Sequence, residues 1–106
     1  MKKITLYLVL FFLALPVFAK PTLGEYITCA FVNMKTSKIM TDGGQPEVAK
    51  NYKTLFDFWD TQAVITFGNK KVRAEAPIYV PGIAEMGNDK LLELTTECLK
   101  LMKSAK

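Results

Sequence analysis

The chain has 106 residues, half of them apolar, with 14 Lys and Arg against 10 Asp and Glu, two cysteines and no histidine. Lacking histidine, it lacks both the usual general base and the commonest metal ligand, which disfavours most hydrolytic and metal-centred chemistries. The formal charge of +4 includes Lys2 and Lys3 of a segment expected to be removed; the remaining 12 basic and 10 acidic residues leave +2, and no nucleic-acid partner is implied.

Met1 to Ala19 reads as a secretory leader, with Lys2 and Lys3 as the positive start, Ile4 to Leu15 as the apolar stretch and Val17-Phe18-Ala19 as the small-residue cleavage site. Pro16 interrupts the apolar run, which is shorter than the ~20 residues needed to span a bilayer, so no stable membrane anchor is expected. No cysteine directly follows the apolar stretch at the cleavage site, so a lipoprotein is not indicated. Cleavage after Ala19 would leave 87 residues, 20–106, enough for a single domain and one small core. Two cysteines in an exported chain of this size imply one disulfide, Cys29 to Cys98, formed in an oxidising compartment such as the periplasm.

In chain order, the first element starts at Thr22. Thr22 and Glu25 have the spacing of a capping box, and apolar residues follow at 23, 26, 27, 30, 31 and 34, a single helical stripe with Cys29 beside it. The helix is predicted to run to about Met40, with Asp42-Gly43-Gly44 stopping it. Gln45 as cap, Pro46 in the first turn and Glu47 near the positive dipole end begin a second helix. Along it Val48, Tyr52, Leu55, Phe56, Trp59 and Ala63 supply the aromatic part of the core. Val64-Ile65-Thr66-Phe67 is β-branched and aromatic, but with no convincing strand to pair it, residues 63–67 are read as helix ending at Gly68, an extended piece being the alternative. Asp60-Thr61 is a candidate kink. Asn69 caps a short third helix through Ala76, and Pro77 to Gly82 is read as an extended loop because two prolines interrupt it. Asn88 caps the last helix, which carries Leu91, Leu92, Leu94, Cys98, Leu99, Leu101 and Met102. The predicted fold is therefore all-α, a small bundle of about four helices stapled by one disulfide.

Candidate catalytic groups are few. Ser37 and Ser104, the only two serines, sit in no nucleophile motif and are expected on solvated helix surface. Asp57 with Asp60 and Glu93 with Glu97 are helical carboxylate pairs, but Lys53 and Lys100 lie close by, as on ordinary solvated faces. Asp42-Gly43-Gly44 lacks the spaced oxygen ligands of a calcium loop. No catalytic residue, metal or cofactor is expected. Features that point to binding are the basic cluster Lys70, Lys71 and Arg73, the off-stripe aromatic Phe58, and Ile78, Tyr79, Val80 and Pro81 in the proline segment, where an aromatic held rigidly makes a good anchor.

Thr28-Cys29 in an apolar first helix and Cys98-Leu99-Lys100-Leu101 near the end resemble the immunity proteins that protect bacteria against type VI secreted peptidoglycan amidases. That resemblance implies a non-enzymatic periplasmic protein that neutralises a secreted cell-wall-acting effector by occluding its cleft, through the 77–82 segment or the 41–46 turn. Tyr26-Ile27-Thr28-Cys29-Ala30 also resembles the first cysteine motif of HdeA-like acid-stress chaperones, YmgD-like proteins included, which implies an unfolded client in place of an effector. In those chaperones the cysteines are closer together and a longer helical segment follows the second; here eight residues follow Cys98. In either reading the partner is another protein. An accessory subunit of an envelope complex and a homodimer also stay open.

Overall fold

The computed structural model describes residues 21–105, and among them it contains four helices and no strand. The leader expected over Met1–Ala19 lies outside the described residues, as do the side chains of residues 103–106, Ser104 included. The helices are α1 Leu23–Asp42, α2 Pro46–Phe67, α3 Asn69–Ala84 and α4 Asn88–Ala105. Among the described residues no helix is long and apolar enough to cross a membrane.

The capping box opens α1 as the sequence requires: Thr22 Oγ1 accepts from the Glu25 N–H at 3.2 Å, and Glu25 Oε1 accepts from the Thr22 N–H at 2.8 Å. At its other end the Gly43 N–H donates to the Ile39 carbonyl and the Gln45 N–H to that of Met40, closing the chain into a tight turn. Pro46 is the first helical residue of α2, where its missing N–H has no intrahelical acceptor to miss. That helix passes without a break through Asp60-Thr61 and through 63–67, so the extended alternative does not apply. It stops at Gly68, whose φ of +92° is open to glycine at little cost and strained for other residues. Gly87 takes the cap position of α4: its carbonyl accepts from the Leu91 N–H, and Asn88, expected as the cap, is the first helical residue.

Three expectations are corrected on α3, the first being its cap: Gly68 takes that position, its carbonyl accepting from the Val72 N–H, and Asn69 is the first helical residue. Its helix does not stop at Ala76, and Pro77–Gly82 is helical and not an extended loop. Each proline removes one ladder hydrogen bond, freeing the Arg73 and Pro77 carbonyls, a cost usually large inside a helix. Here Pro77 and Pro81 both lie on the exposed face, where water reaches the freed carbonyls. On the opposite face Val72, Ala76 and Ile83 are buried with Tyr79 half-buried between them, a spacing that only a continued helix places on one side. Tertiary burial thus outweighs the local preference of proline.

The organising element is α1, which packs against each of the other three helices; α2 also meets α3, while α4 rests mainly on α1. A helix clasped by three neighbours buries more than one stripe. Tyr26, Ile27, Cys29, Ala30, Val32, Asn33 and Thr36 are all buried, whereas Phe31 is half-buried and Met34, assigned to the buried stripe from its spacing, is 43% exposed. The buried polar side chains turn back on their own helix, Asn33 Nδ2 donating to the Cys29 carbonyl and Thr36 Oγ1 to that of Val32, both at 2.7 Å. From α2 only Ala49, Trp59 and Ala63 are fully buried; Val48, Tyr52, Leu55 and Phe56 are half-buried. Edge-on aromatic contacts gather on Trp59, with Tyr26 at 5.5 Å and Phe58 at 5.4 Å between ring centroids.

Cys29 and Cys98 form the expected disulfide, their Cα atoms 5.6 Å apart, and so tie α1 to α4 across a sequence separation of 69 residues. Two polar ties were not legible locally. Ser37, expected on solvated surface, is half-buried and donates to the Ala49 carbonyl at 2.8 Å, joining α1 to α2. Lys35 Nζ lies 3.1, 2.6 and 2.9 Å from the carbonyl oxygens of Ile83, Ala84 and Met86, so a cation from α1 caps the negative end of α3. Lys35→Met is expected to lower stability by about 1–2 kcal/mol through those unpaired carbonyls, read as a shift of the urea midpoint at unchanged slope. Lys38→Met, on the exposed side of the same helix, is the control and should move stability by less than about 0.5 kcal/mol.

Candidate protein-binding surface

The unbroken run of α3 divides the residues singled out from sequence into two groups. Val72, Ala76, Tyr79 and Ile83 face α1, and this turns Lys70, Lys71, Ala74, Pro77, Ile78 and Pro81 outward as one solvent-facing stripe. Ile78 is 66% exposed, and Val80, on the flank of that stripe, is 37% exposed. Lys70 and Lys71 occupy the first turn, where the positive end of the helix dipole disfavours cations, so their placement does not serve the stability of α3.

The remaining members are engaged by contacts within the molecule. Phe58 is half-buried with its ring edge-on to Trp59, and therefore braces the core instead of projecting from it. Arg73 makes a two-pronged pair with Asp60, Nη1 to Oδ1 at 2.9 Å and Nη2 to Oδ2 at 3.1 Å, while its Nε donates to Asn69 Oδ1 at 3.2 Å. The hydrogen bond to Asp60 raises the Arg73 pKa, modest burial opposes this, and the Asp60 charge adds to it. A base whose folded pKa is raised contributes below its unfolded value and is lost only as pH climbs through the folded one. Arg73 therefore stays charged, and gives no pH dependence, below the ordinary guanidinium range. Lys71 Nζ stands 5.9 Å from the centre of the Phe67 ring, a loose cation–π contact.

Tyr79 is half-buried, and its ring lies against Gly24 near the start of α1. A Cβ added at Gly24 would fall 2.6 Å from the Tyr79 Oη and 3.0 Å from Cζ, so the absence of a side chain at Gly24 is what lets the ring approach. Gly24→Ala should therefore destabilise the native protein, although alanine is the better helix former. In a Tyr79→Ala background the same change should stabilise by roughly 0.5–1 kcal/mol, a reversal of sign that a double-mutant cycle in urea would read directly.

Hollows flank α3 on either side of this contact. One, of about 550 Å³, adjoins the disulfide and is lined by Glu25, Tyr79, Leu94, Glu97 and Leu101 among others. Two more, of about 400 and 200 Å³, share Met34 and Lys38 and lie between α3, α1 and α2. The contribution of Met34, Lys38, Lys53 and Phe56 to this second surface was missed from sequence, since Met34 reads as core and Lys53 as a partner for Asp57. Among the described residues no three His, Cys, Asp or Glu side chains converge as metal ligands would. Glu97 pairs with Lys100 at 3.6 Å and Glu93 with Lys90 at 3.7 Å, as solvated helix faces do.

No family model, curated protein or solved structure matches the chain.

Proposed function

We propose that this chain is a non-enzymatic protein-binding module of the periplasm, an immunity or inhibitor protein that neutralises a secreted cell-wall-acting effector such as a type VI peptidoglycan amidase. The observation that carries the reading is the α3 stripe. Ile78 and Pro81 stand exposed on a helix held by Tyr79 against Gly24, by Lys35 at its end and by Arg73 at its start. A surface fixed at three points loses little conformational freedom when it meets a partner, so less of the contact energy is consumed by ordering. The Thr28-Cys29 and Cys98-Leu99-Lys100-Leu101 resemblance supplies the class of target, and the α1–α4 disulfide suits an oxidising compartment. In this reading the contact is a helix face, Ile78, Val80 and Pro81 with Lys70 and Lys71, and not the loop that the two prolines imply.

Co-expression with the product of the adjacent reading frame tests the proposal. A complex surviving size exclusion, together with protection of cells that receive the effector in the periplasm, is the expected result; killing that continues undiminished contradicts it. The rival reading, an HdeA-like acid-stress holdase, requires suppression of light scattering by a denatured client at about pH 3, the range in which carboxylates protonate.

A further inference from the structure

Between α2 and α3 the outer face of α1 is left uncovered along Phe31, Met34 and Lys38, with Val80 and Phe56 as walls. The Phe31 and Phe56 rings lie 6.0 Å apart across α1 and α2, and the two hollows, taken together here as one trough, share Met34 and Lys38 as lining residues. Its charge is one-sided. Among the described residues Lys35, Lys38 and Lys53 line it and no carboxylate does, whereas the hollow beside the disulfide is lined by Glu25 and Glu97 and by no described cation. Lys35 is engaged by the end of α3, which leaves Lys38 and Lys53 exposed at the rim.

We infer that this trough takes an amphipathic segment of another protein, its apolar side chains seated on Phe31, Met34, Phe56 and Val80 and its carboxylates meeting Lys38 and Lys53. The inference rests on the reading of the chain as a protein-binding module and specifies the chemistry of the partner. An apolar floor with a polar rim is how a groove takes one face of a helix, and a rim of one sign selects the opposite charge and rejects its own. Two lysines spread over both hollows suit a segment bearing several carboxylates better than they suit a single anionic head group. Val80 belongs both to this trough and to the flank of the exposed α3 stripe, so one partner can cover the two together.

The test uses the full oxidised protein, labelled for amide NMR, and two synthetic helical peptides of about 16 residues with leucines on one face. The peptides are identical except that one is flanked by glutamates and the other by lysines. The glutamate peptide should shift the amides of Phe31, Met34, Lys38, Phe56 and Val80 saturably and bind about tenfold more tightly than the lysine peptide, and Lys38→Glu with Lys53→Glu should invert that order. Both lysines are exposed, so an unchanged melting curve is expected for the double variant and shows that it remains folded. Equal binding of the two peptides, shifts centred elsewhere, or no saturable shift at millimolar peptide overturns the inference. So does saturation of the same amides by laurate with neither peptide bound, which makes the occupant a lipid. Effector inhibition separates this claim from the functional reading. If the double variant inhibits as well as the native protein, the trough is not the docking site and only the present inference falls; if the native protein inhibits nothing while the glutamate peptide binds as described, only the functional reading falls.

Discussion

Replacing Cys29 and Cys98 together by alanine, or reducing the native protein, is expected to lower stability by about 4 kcal/mol, the loop-closure entropy restored to an unfolded chain whose cross-linked residues are 69 apart. For a domain whose net stability is of the order of 5–15 kcal/mol that is a large fraction. The loss should also be uneven. Of the four helices α4 leans mainly on α1, and its described buried residues are few, Leu91, Thr95 and Cys98 itself. Without the staple, α4 should open ahead of the rest. Amide exchange should show α4 losing protection at denaturant concentrations where α1 and α2 keep theirs. Urea midpoints with and without reductant, at matched pH, measure the total; coincident midpoints, or equal protection of α4 in both forms, contradict the account.

Trp59→Ala is expected to be comparably damaging, costing about 3–5 kcal/mol. Trp59 is fully buried, among the largest side chains so placed, and Tyr26 and Phe58 both meet it edge-on. Removing the indole therefore leaves a cavity at the junction of α1 and α2 and takes the packing partner from two aromatic rings. The indole N–H and the Asn33 Oδ1 are buried without a hydrogen-bond partner among the described residues. Trp59→Phe keeps an aromatic face for Tyr26 and removes an unpaired donor, so it should lose roughly half as much or less. Thermal and urea unfolding of the two variants check this, and a Trp59→Ala protein as stable as Trp59→Phe contradicts it.

What was legible in the sequence was local. The Thr22–Glu25 box, the Gly43-Gly44 turn, Pro46 at a helix start and Gly68 at a helix end each act through backbone geometry within a few residues, and each stands where its chemistry puts it. The cysteine pair was legible because two cysteines allow one intramolecular connectivity. What was not legible depends on partners distant in the chain. Pro77 and Pro81 look like breakers until α1 is seen to bury Val72, Ala76 and Ile83 on one side while water reaches the other. Lys35 captures carbonyls 48 to 51 residues away, and Gly24 is matched to a ring 55 positions later. The spacing of Phe31 and Met34 marks them as core, yet both line hollows beside α1 instead of being fully covered by its neighbours. Of the surface singled out from sequence, Ile78, Val80, Pro81, Lys70 and Lys71 are outward, while Phe58, Tyr79 and Arg73 prove to be the contacts that hold that surface in place.

The most direct test of the proposed function is to titrate the purified, oxidised protein against the product of the adjacent reading frame, proposed to be a secreted wall hydrolase, and to follow release of soluble fragments from peptidoglycan. The account predicts stoichiometric loss of hydrolysis, weakened by Ile78→Asp on the outward face of α3 and unaffected by Ile65→Asp, a comparably exposed residue on α2. Hydrolysis that proceeds at its full rate in the presence of excess protein would contradict it.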